Sequence, residues 1–324
     1  MKRFRNILCI VEPEKSLDTA IAQALRFSEN HQANITFLSV IKPVRRWQKI
    51  FQDNESANPD RAIEDNKRAV ITSAIHSQQP HLKAEVLVKS GIPFIEIIRQ
   101  VVRNDHDLVV KCSEDPDWIE RMLGSEDMHL LRKCPCPVLM LKPGDRGEFR
   151  HILAAVDVND SENTPDEQRV QETLNQQVLD YSASISLHDL SELHIGSAWE
   201  AFAEDFIRHG GFSSTPEDVV DRYVEQSRRE CTARLQTLQK NMAEALGKTG
   251  AQFLQPRSHL VMGKASKEIP TLTKDQHIDL IVMGTVGRTG IAGFIIGNTA
   301  ESILEQTQCS ILAIKPQGFK TPVE

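Results

Sequence analysis

The 324-residue chain carries 38 Lys and Arg against 45 Asp and Glu, a formal charge of −7, so its overall field opposes attraction to nucleic acid or to an anionic membrane surface. Hydrophobic residues at 40% and charged residues at 26% describe a globular protein long enough for two domains, neither disordered nor built of membrane spans. Aromatic residues at 5% leave few platforms for stacking bases.

The first apolar run, Ile7 to Val11, ends at Glu12 and is too short for a signal-peptide core or a membrane span, so a cytoplasmic protein is expected. Ile7 to Val11, Ile35 to Ile41, Glu85 to Val88, Leu108 to Val110 and Val138 to Leu141 read as strands. Ser16 to Asn30, Arg61 to Gln78 and Phe94 to Arg103 read as the helices between them. In the first helix Ala20, Ile21, Ala24, Leu25 and Phe27 recur at helical spacing, which gives one face to cover a sheet. Alternating strands and helices predict an α/β fold with a doubly wound parallel sheet, whose ligands bind beyond the carboxyl ends of the strands where the strand order reverses.

The same pattern then repeats. Ile7-Leu8-Cys9-Ile10-Val11-Glu12 recurs 145 residues later as Ile152-Leu153-Ala154-Ala155-Val156-Asp157, an apolar run ending in an acid. Asp107-Leu108-Val109-Val110 recurs at an offset of 172 as Asp279-Leu280-Ile281-Val282, and Cys136 to Pro143 recurs at 173 as Cys309 to Pro316. The growing offset places about 27 extra residues in the second copy, in the polar stretch Asn159 to Arg169 and between Trp199 and His259. Lys142-Pro143-Gly144-Asp145-Arg146-Gly147 separates the copies, which divides the chain into domains 1–145 and 146–324.

Some patterns lead nowhere. Gly247-Lys248-Thr249 resembles the end of a P-loop, but Met242 stands where the earlier glycine is needed, and a helical run from Tyr223 to Leu246 precedes it rather than a strand. The eleven histidines lack the short-range spacing of metal ligands, so no metal site is expected. Six cysteines are too sparse for a disulfide scaffold; Cys134-Pro135-Cys136 reads as a buried pair or, less simply, as a regulatory thiol pair. No nucleophile elbow and no Ser, His and acid set can be assembled, so no catalytic residue is assigned.

The most informative segment runs from Met283 to Glu301 and holds Gly284, Gly287, Gly290, Gly293 and Gly297 between a strand and a helix. Glycines allow backbone amides to approach a ligand, and a helix N-terminus favours phosphate; Asn298 with Glu301 has the form of an N-cap and its partner. Gly284-x2-Gly287-x9-Gly297 resembles the nucleotide-binding motif of the ATP-binding universal stress proteins. The acid-ended first strand and the last strand Cys309 to Lys315 are similar to theirs as well, and the resemblance covers both halves.

What this resemblance implies is two tandem Rossmann-like domains, each with an additional edge strand, packed as an intramolecular pseudo-dimer through Val138 to Leu141 and Ile311 to Ile314. A further dimer of such chains stays open. It also implies a role in resistance to stress and an ATP or other adenine-nucleotide site in the second copy, with magnesium accompanying the nucleotide. Asp157 would contact the ribose, the backbone at Ala198 the adenine, and Met283, Gly284, Gly287, Arg288, Gly297, Asn298 and Thr299 the phosphates. The family places Ser or Thr after the last glycine, where this chain has Asn298 and then Thr299. In the first copy Cys112 and Asp115 replace Gly284 and Gly287, and Gly124-Ser125 stands for Gly297-Asn298, so no nucleotide is expected there. Binding without strong catalysis, at most a weak ATPase, is the leading reading; the alternative is a nucleotide-free interaction or small-ligand module.

Overall fold

Apolar residues alternating along short strands send Ile7 and Cys9 of the first strand to one face of a sheet and Leu8 and Ile10 to the other. A computed structural model of the chain describes residues 4–12, 17–42, 59–112, 126–142, 149–159, 164–201, 204, 207, 216–285 and 296–323. In chain order the first half contains β1 (Asn6–Ile10), α1 (Leu17–His31), β2 (Asn34–Ile41), α2 (Pro59–Gln78), β3 (Glu85–Ser90), α3 (Pro93–Arg103), β4 (Leu108–Cys112), α4 (Glu126–Lys133) and β5 (Val138–Leu141). The second contains β6 (His151–Ala155), α5 (Pro165–Asp189), β7 (Glu192–Trp199), α6 (Glu217–Leu254), β8 (Arg257–Met262), α7 (Ala265–Asp275), β9 (Leu280–Gly284), α8 (Asn298–Gln306) and β10 (Ser310–Ile314).

The strands form one ten-stranded sheet in the order β3-β2-β1-β4-β5-β10-β9-β6-β7-β8. Each half is therefore the same parallel arrangement, and the two are joined where β5 meets β10 in the sheet's antiparallel pairing, with Leu139 opposite Leu312. Lys142 extends the seam by donating its backbone N–H to Ser310 Oγ, 3.0 Å away. Pairing the two edges satisfies backbone groups that each half alone would leave open. The α/β tandem architecture and the intramolecular pseudo-dimer expected from the sequence are both present.

Helices α1, α2, α5 and α6 cover one face and α3, α4, α7 and α8 the other, so the apolar core is two layers that each run across both halves. On the first face Phe4 stacks on Tyr181 with ring centroids 5.1 Å apart, and Arg26 meets the buried carboxylate of Asp189 at 2.9 Å. On the second, Arg132 of α4 pairs with Glu301 of α8. These contacts tie the halves together beyond the strand seam.

The repeat of Asp107 and Asp279 has a structural reason. Asp107 accepts hydrogen bonds from the backbone N–H groups of Arg5 (2.7 Å) and Asn6 (3.0 Å), and Asp279 from those of Arg150 (2.7 Å) and His151 (3.1 Å). Each carboxylate fixes the start of the strand beside it. The extra residues of the second copy are carried largely by longer helices: α5 has 25 residues where α1 has 15, and α6 has 38 where α2 has 20. The stretch expected to be a polar insertion thus ends as the start of α5, where Thr164 and Glu167 form a capping box with Pro165 as the first helical residue. Gly247 lies inside α6, at a kink with φ of 71°, in keeping with the rejected P-loop. The six cysteines are free and buried; Cys134 and Cys136 approach to 3.6 Å between sulfurs, and that contact, then burial, pushes the Cys136 thiol well above its usual range. Among the described residues no helix is long and apolar enough to cross a membrane.

Candidate functional site

The strand order reverses between β6 and β9, and this fixes which sequence-distant residues become neighbours. Ala155 pairs with Met283 across these strands, so Asp157, two residues on, and Gly284, one residue on, leave the sheet side by side at its carboxyl edge. Asp157 is held there by α5. Its backbone N–H donates to Asn175 Oδ1 at 3.0 Å, and its carbonyl accepts from Asn175 Nδ2 at 2.7 Å. Asn175 is buried, 5% exposed, within the otherwise apolar stripe of Leu174, Val178 and Leu179. A polar residue in that stripe was the signal that sequence reading missed.

Asp157 Oδ1 accepts the backbone N–H of Asn159 at 3.0 Å, which folds the chain into an Asx turn. Asn159 Nδ2 then donates to the carbonyl of Ala198 at 2.8 Å, so Asp157, Asn159 and Ala198 form one connected group. The Ala198 side chain is buried in the second core layer, leaving only its backbone for recognition. Met283 is likewise buried, 3% exposed, and can offer only backbone atoms.

Beyond Gly284, Thr285 is fully buried and its carbonyl accepts the N–H of Gly297 at 3.2 Å. That bond brings the far end of the glycine segment back to the β9 terminus. Gly287 and Arg288 lie outside the described residues, as do Asp115, Gly124 and Ser125 of the first copy. The expected capping is corrected: Gly297 is the N-cap of α8, without a side-chain cap, and Asn298 is the first helical residue. Glu301 faces Arg132 rather than closing a capping box. Asn298 and Thr299 are exposed in the first turn, whose N–H groups have no intrahelical acceptor. Such a helix start suits an anion.

Lys315 was not singled out from sequence. It is 6% exposed at the end of β10 and donates to Thr285 Oγ1; burial lowers its ammonium to about 7.

At the equivalent edge of the first half, described side chains bridge one another. Lys111 of β4 reaches Glu12, the counterpart of Asp157, at 3.4 Å and also pairs with Asp127 in the first turn of α4. Burial opposes its charge, but Asp127 and then Glu12 outweigh that and raise its pKa. A lysine joins the acid at the end of β1 to the helix start that would face a phosphate.

At the opposite, amino edge of the second half two histidines far apart in sequence converge, against the expectation from histidine spacing. His151, Glu192 and His194 place one donor atom each within 4.8 Å of one another. The signal was a cross-strand one: His151 is opposite Glu192, and His194 follows on the same face two residues later.

A parallel sheet reversing between β6 and β9, present again in the first half, defines a doubly wound α/β protein in two copies. The universal stress protein family matches residues 3–142 and again 148–315, and the chain belongs to that family in tandem form. Its relatives include universal stress protein E of Escherichia coli K12, 27% identical over 331 residues that cover 100% of this chain and 98% of the relative. The universal stress protein E homolog of Haemophilus influenzae is 27% identical over 325 residues, covering 97% and 98%. In fold the chain is similar to the functionally unknown protein PA1789 of Pseudomonas aeruginosa PAO1, with a TM-score of 0.66 and 23% identity over 98% of this chain and 94% of that one.

Proposed function

We propose that this tandem universal stress protein acts in the cytosol in general stress resistance by binding ATP or a related adenine nucleotide in residues 146–324, without strong catalysis. Residues 1–145 serve as the structural partner. The observation that carries the reading is the placement of Asp157 beside Gly284 at the strand reversal, with the uncapped start of α8 returned to the same edge through Gly297 and Thr285. The Asp157 carboxylate suits ribose hydroxyls, and the α8 amides with Asn298 and Thr299 suit phosphate oxygens or their magnesium. Gly287 and Arg288 belong to the same proposed site on the family motif alone. In the first half Lys111 already neutralises Glu12 and Asp127, which supports a single nucleotide site per chain.

The first experiment is acid extraction of the purified protein with mass-spectrometric identification of released small molecules, followed by nucleotide titration of wild type and Gly287→Asp. Stoichiometric adenine nucleotide, lost in the variant, supports the reading. Protein that carries none and binds none on addition favours a nucleotide-free interaction module. One observation leans that way: the Ala198 carbonyl already accepts the Asn159 side chain.

A further inference from the structure

The first residues of β6, β7 and β8 meet at the edge of the sheet opposite to the proposed nucleotide site, under α7. That face of β7 is closely covered, since a Cβ at Gly196 would meet Leu272 of α7 at 2.8 Å. Side chains two residues apart on a strand share a face, and the register puts His151 opposite Glu192 and Arg257 opposite His194. His194 Nε2 lies 3.2 Å from Glu192 Oε1, and His151 Nδ1 lies 3.9 Å from Glu192 Oε2. His194 is 1% exposed, whereas the side chains of His151 and Glu192 are 38% and 31% exposed, so the group has a buried wall and an open side.

Two ring nitrogens here share an unusual property. His151 Nδ1 and His194 Nε2 are buried and take part in no hydrogen bond among the described residues, while the buried Glu192 Oε1 between them is met by the ion pair with Arg257. Buried polar atoms are nearly always hydrogen-bonded, and two exceptions converging on one carboxylate call for a common partner. The other ring nitrogen of His194 is engaged, with Nδ1 2.9 Å from His259 Nε2. A proton on Nδ1 donated to His259 leaves the Nε2 lone pair facing Glu192, which is how a second residue fixes the tautomer of a metal-binding histidine.

We propose that His151 Nδ1, the Glu192 carboxylate and His194 Nε2 form a three-ligand site for a divalent first-row transition metal, oriented by His259. Two imidazoles and one carboxylate suit zinc, with the remaining position open to solvent. Arg257 competes for the same carboxylate: its Nη1 is 2.6 Å from Glu192 Oε1, on a side chain 63% exposed and able to swing away. Bound metal would tie the starts of β6 and β7 together at a site that does not depend on the nucleotide reading.

The test uses the full chain, stripped with a chelator and titrated with zinc against a chromophoric competitor, with cobalt as a spectroscopic substitute. About one zinc per chain is expected. His151→Ala and Glu192→Gln should each weaken it at least about tenfold, and His259→Ala roughly ten- to a hundredfold as an orienting residue. Arg257→Gln should tighten binding, and His76→Ala on α2 should leave it unchanged. Circular dichroism establishes that each variant is folded. Absence of stoichiometric zinc overturns the proposal, as does affinity kept within about twofold in both His151→Ala and Glu192→Gln. Should those variants misfold, the wild-type cobalt spectrum decides: a tetrahedral band without thiolate charge transfer supports the site, and thiolate charge transfer places the metal on cysteine and overturns it.

Discussion

Leu174 fills the space that Gly284 leaves: a Cβ built on Gly284 would lie 2.5 Å from Leu174 Cδ2 and 2.9 Å from its Cγ. The first glycine of the motif is thus required by packing between β9 and α5, whatever ligand approaches the loop beyond it. Gly284→Ala should destabilise the protein by roughly 1–3 kcal/mol through overpacking, measured by urea unfolding. Adding Leu174→Ala should recover part of that loss, because the second change makes room for the first. Strict additivity of the two costs would show that Leu174 is not the obstacle.

The acids ending the two first strands have different neighbours, and their substitutions should differ accordingly. Under the proposed nucleotide site, Asp157→Ala weakens adenine-nucleotide affinity by at least about tenfold, the loss of one charge-assisted contact. Glu12→Ala, whose carboxylate faces Lys111, leaves that affinity unchanged. Equal effects in a calorimetric titration would count against a single working site.

Lys111 is buried, with 13% of its side chain exposed between Glu12 and Asp127. Lys111→Met keeps the length of the side chain but removes the cation that meets both carboxylates. A loss of about 1–3 kcal/mol is expected, less than for a fully buried pair because both acids retain some solvent. Chemical denaturation reads this directly. A variant as stable as wild type would mean that the cation is not needed to hold β4 against α4.

Lys315 gives a pH dependence whose sign can be worked out. Burial lowers its ammonium from the ordinary 10.5 to about 7 in the folded chain. Between those values the unfolded chain binds more protons than the folded one, so stability rises with pH across the window. Below about 7 both states are protonated and the full cost of the buried charge is present. Unfolding measured from pH 7 to 10 should show this rise, and Lys315→Met should flatten it. A slope identical in the variant would assign the effect to another group.

Asp189, 4% exposed, joins the halves by pairing with Arg26 at 2.9 Å and accepting from Asn30 Nδ2 at 3.4 Å. Asp189→Ala should cost about 1–3 kcal/mol, as expected for charged hydrogen bonds with little solvent. Since the halves share one sheet and two core layers, unfolding should remain a single transition. Two separated transitions in calorimetry would instead mean that the halves unfold independently.

Much of the fold was legible in local sequence. Strands β1 to β5 and helices α1 to α3 fall within a few residues of where apolar periodicity places them, because a half-buried element must repeat its apolar residues at its own period. The repeat revealed the duplication, and the resemblance to universal stress proteins pointed to the β5–β10 seam through the last strand of each copy. The capping of α8 was misread, since Asn298 followed by Glu301 satisfies the N-cap pattern while the backbone enters the helix one residue earlier, at Gly297. Cap position depends on where the chain arrives from, here through the bond from Gly297 to Thr285.

The sequence alone determined the class of fold, the duplication and the family, because these rest on periodicity and on motifs contiguous along the chain. Only the tertiary structure decided what Gly284 makes room for, which cation meets Glu12, how far burial lowers Lys315, and that His151, Glu192 and His194 share one point. Each of these depends on neighbours brought together by strand register and helix packing, over separations that no local pattern encodes. Burial and charge at a site are set by those neighbours, and so they appear only when the chain has folded.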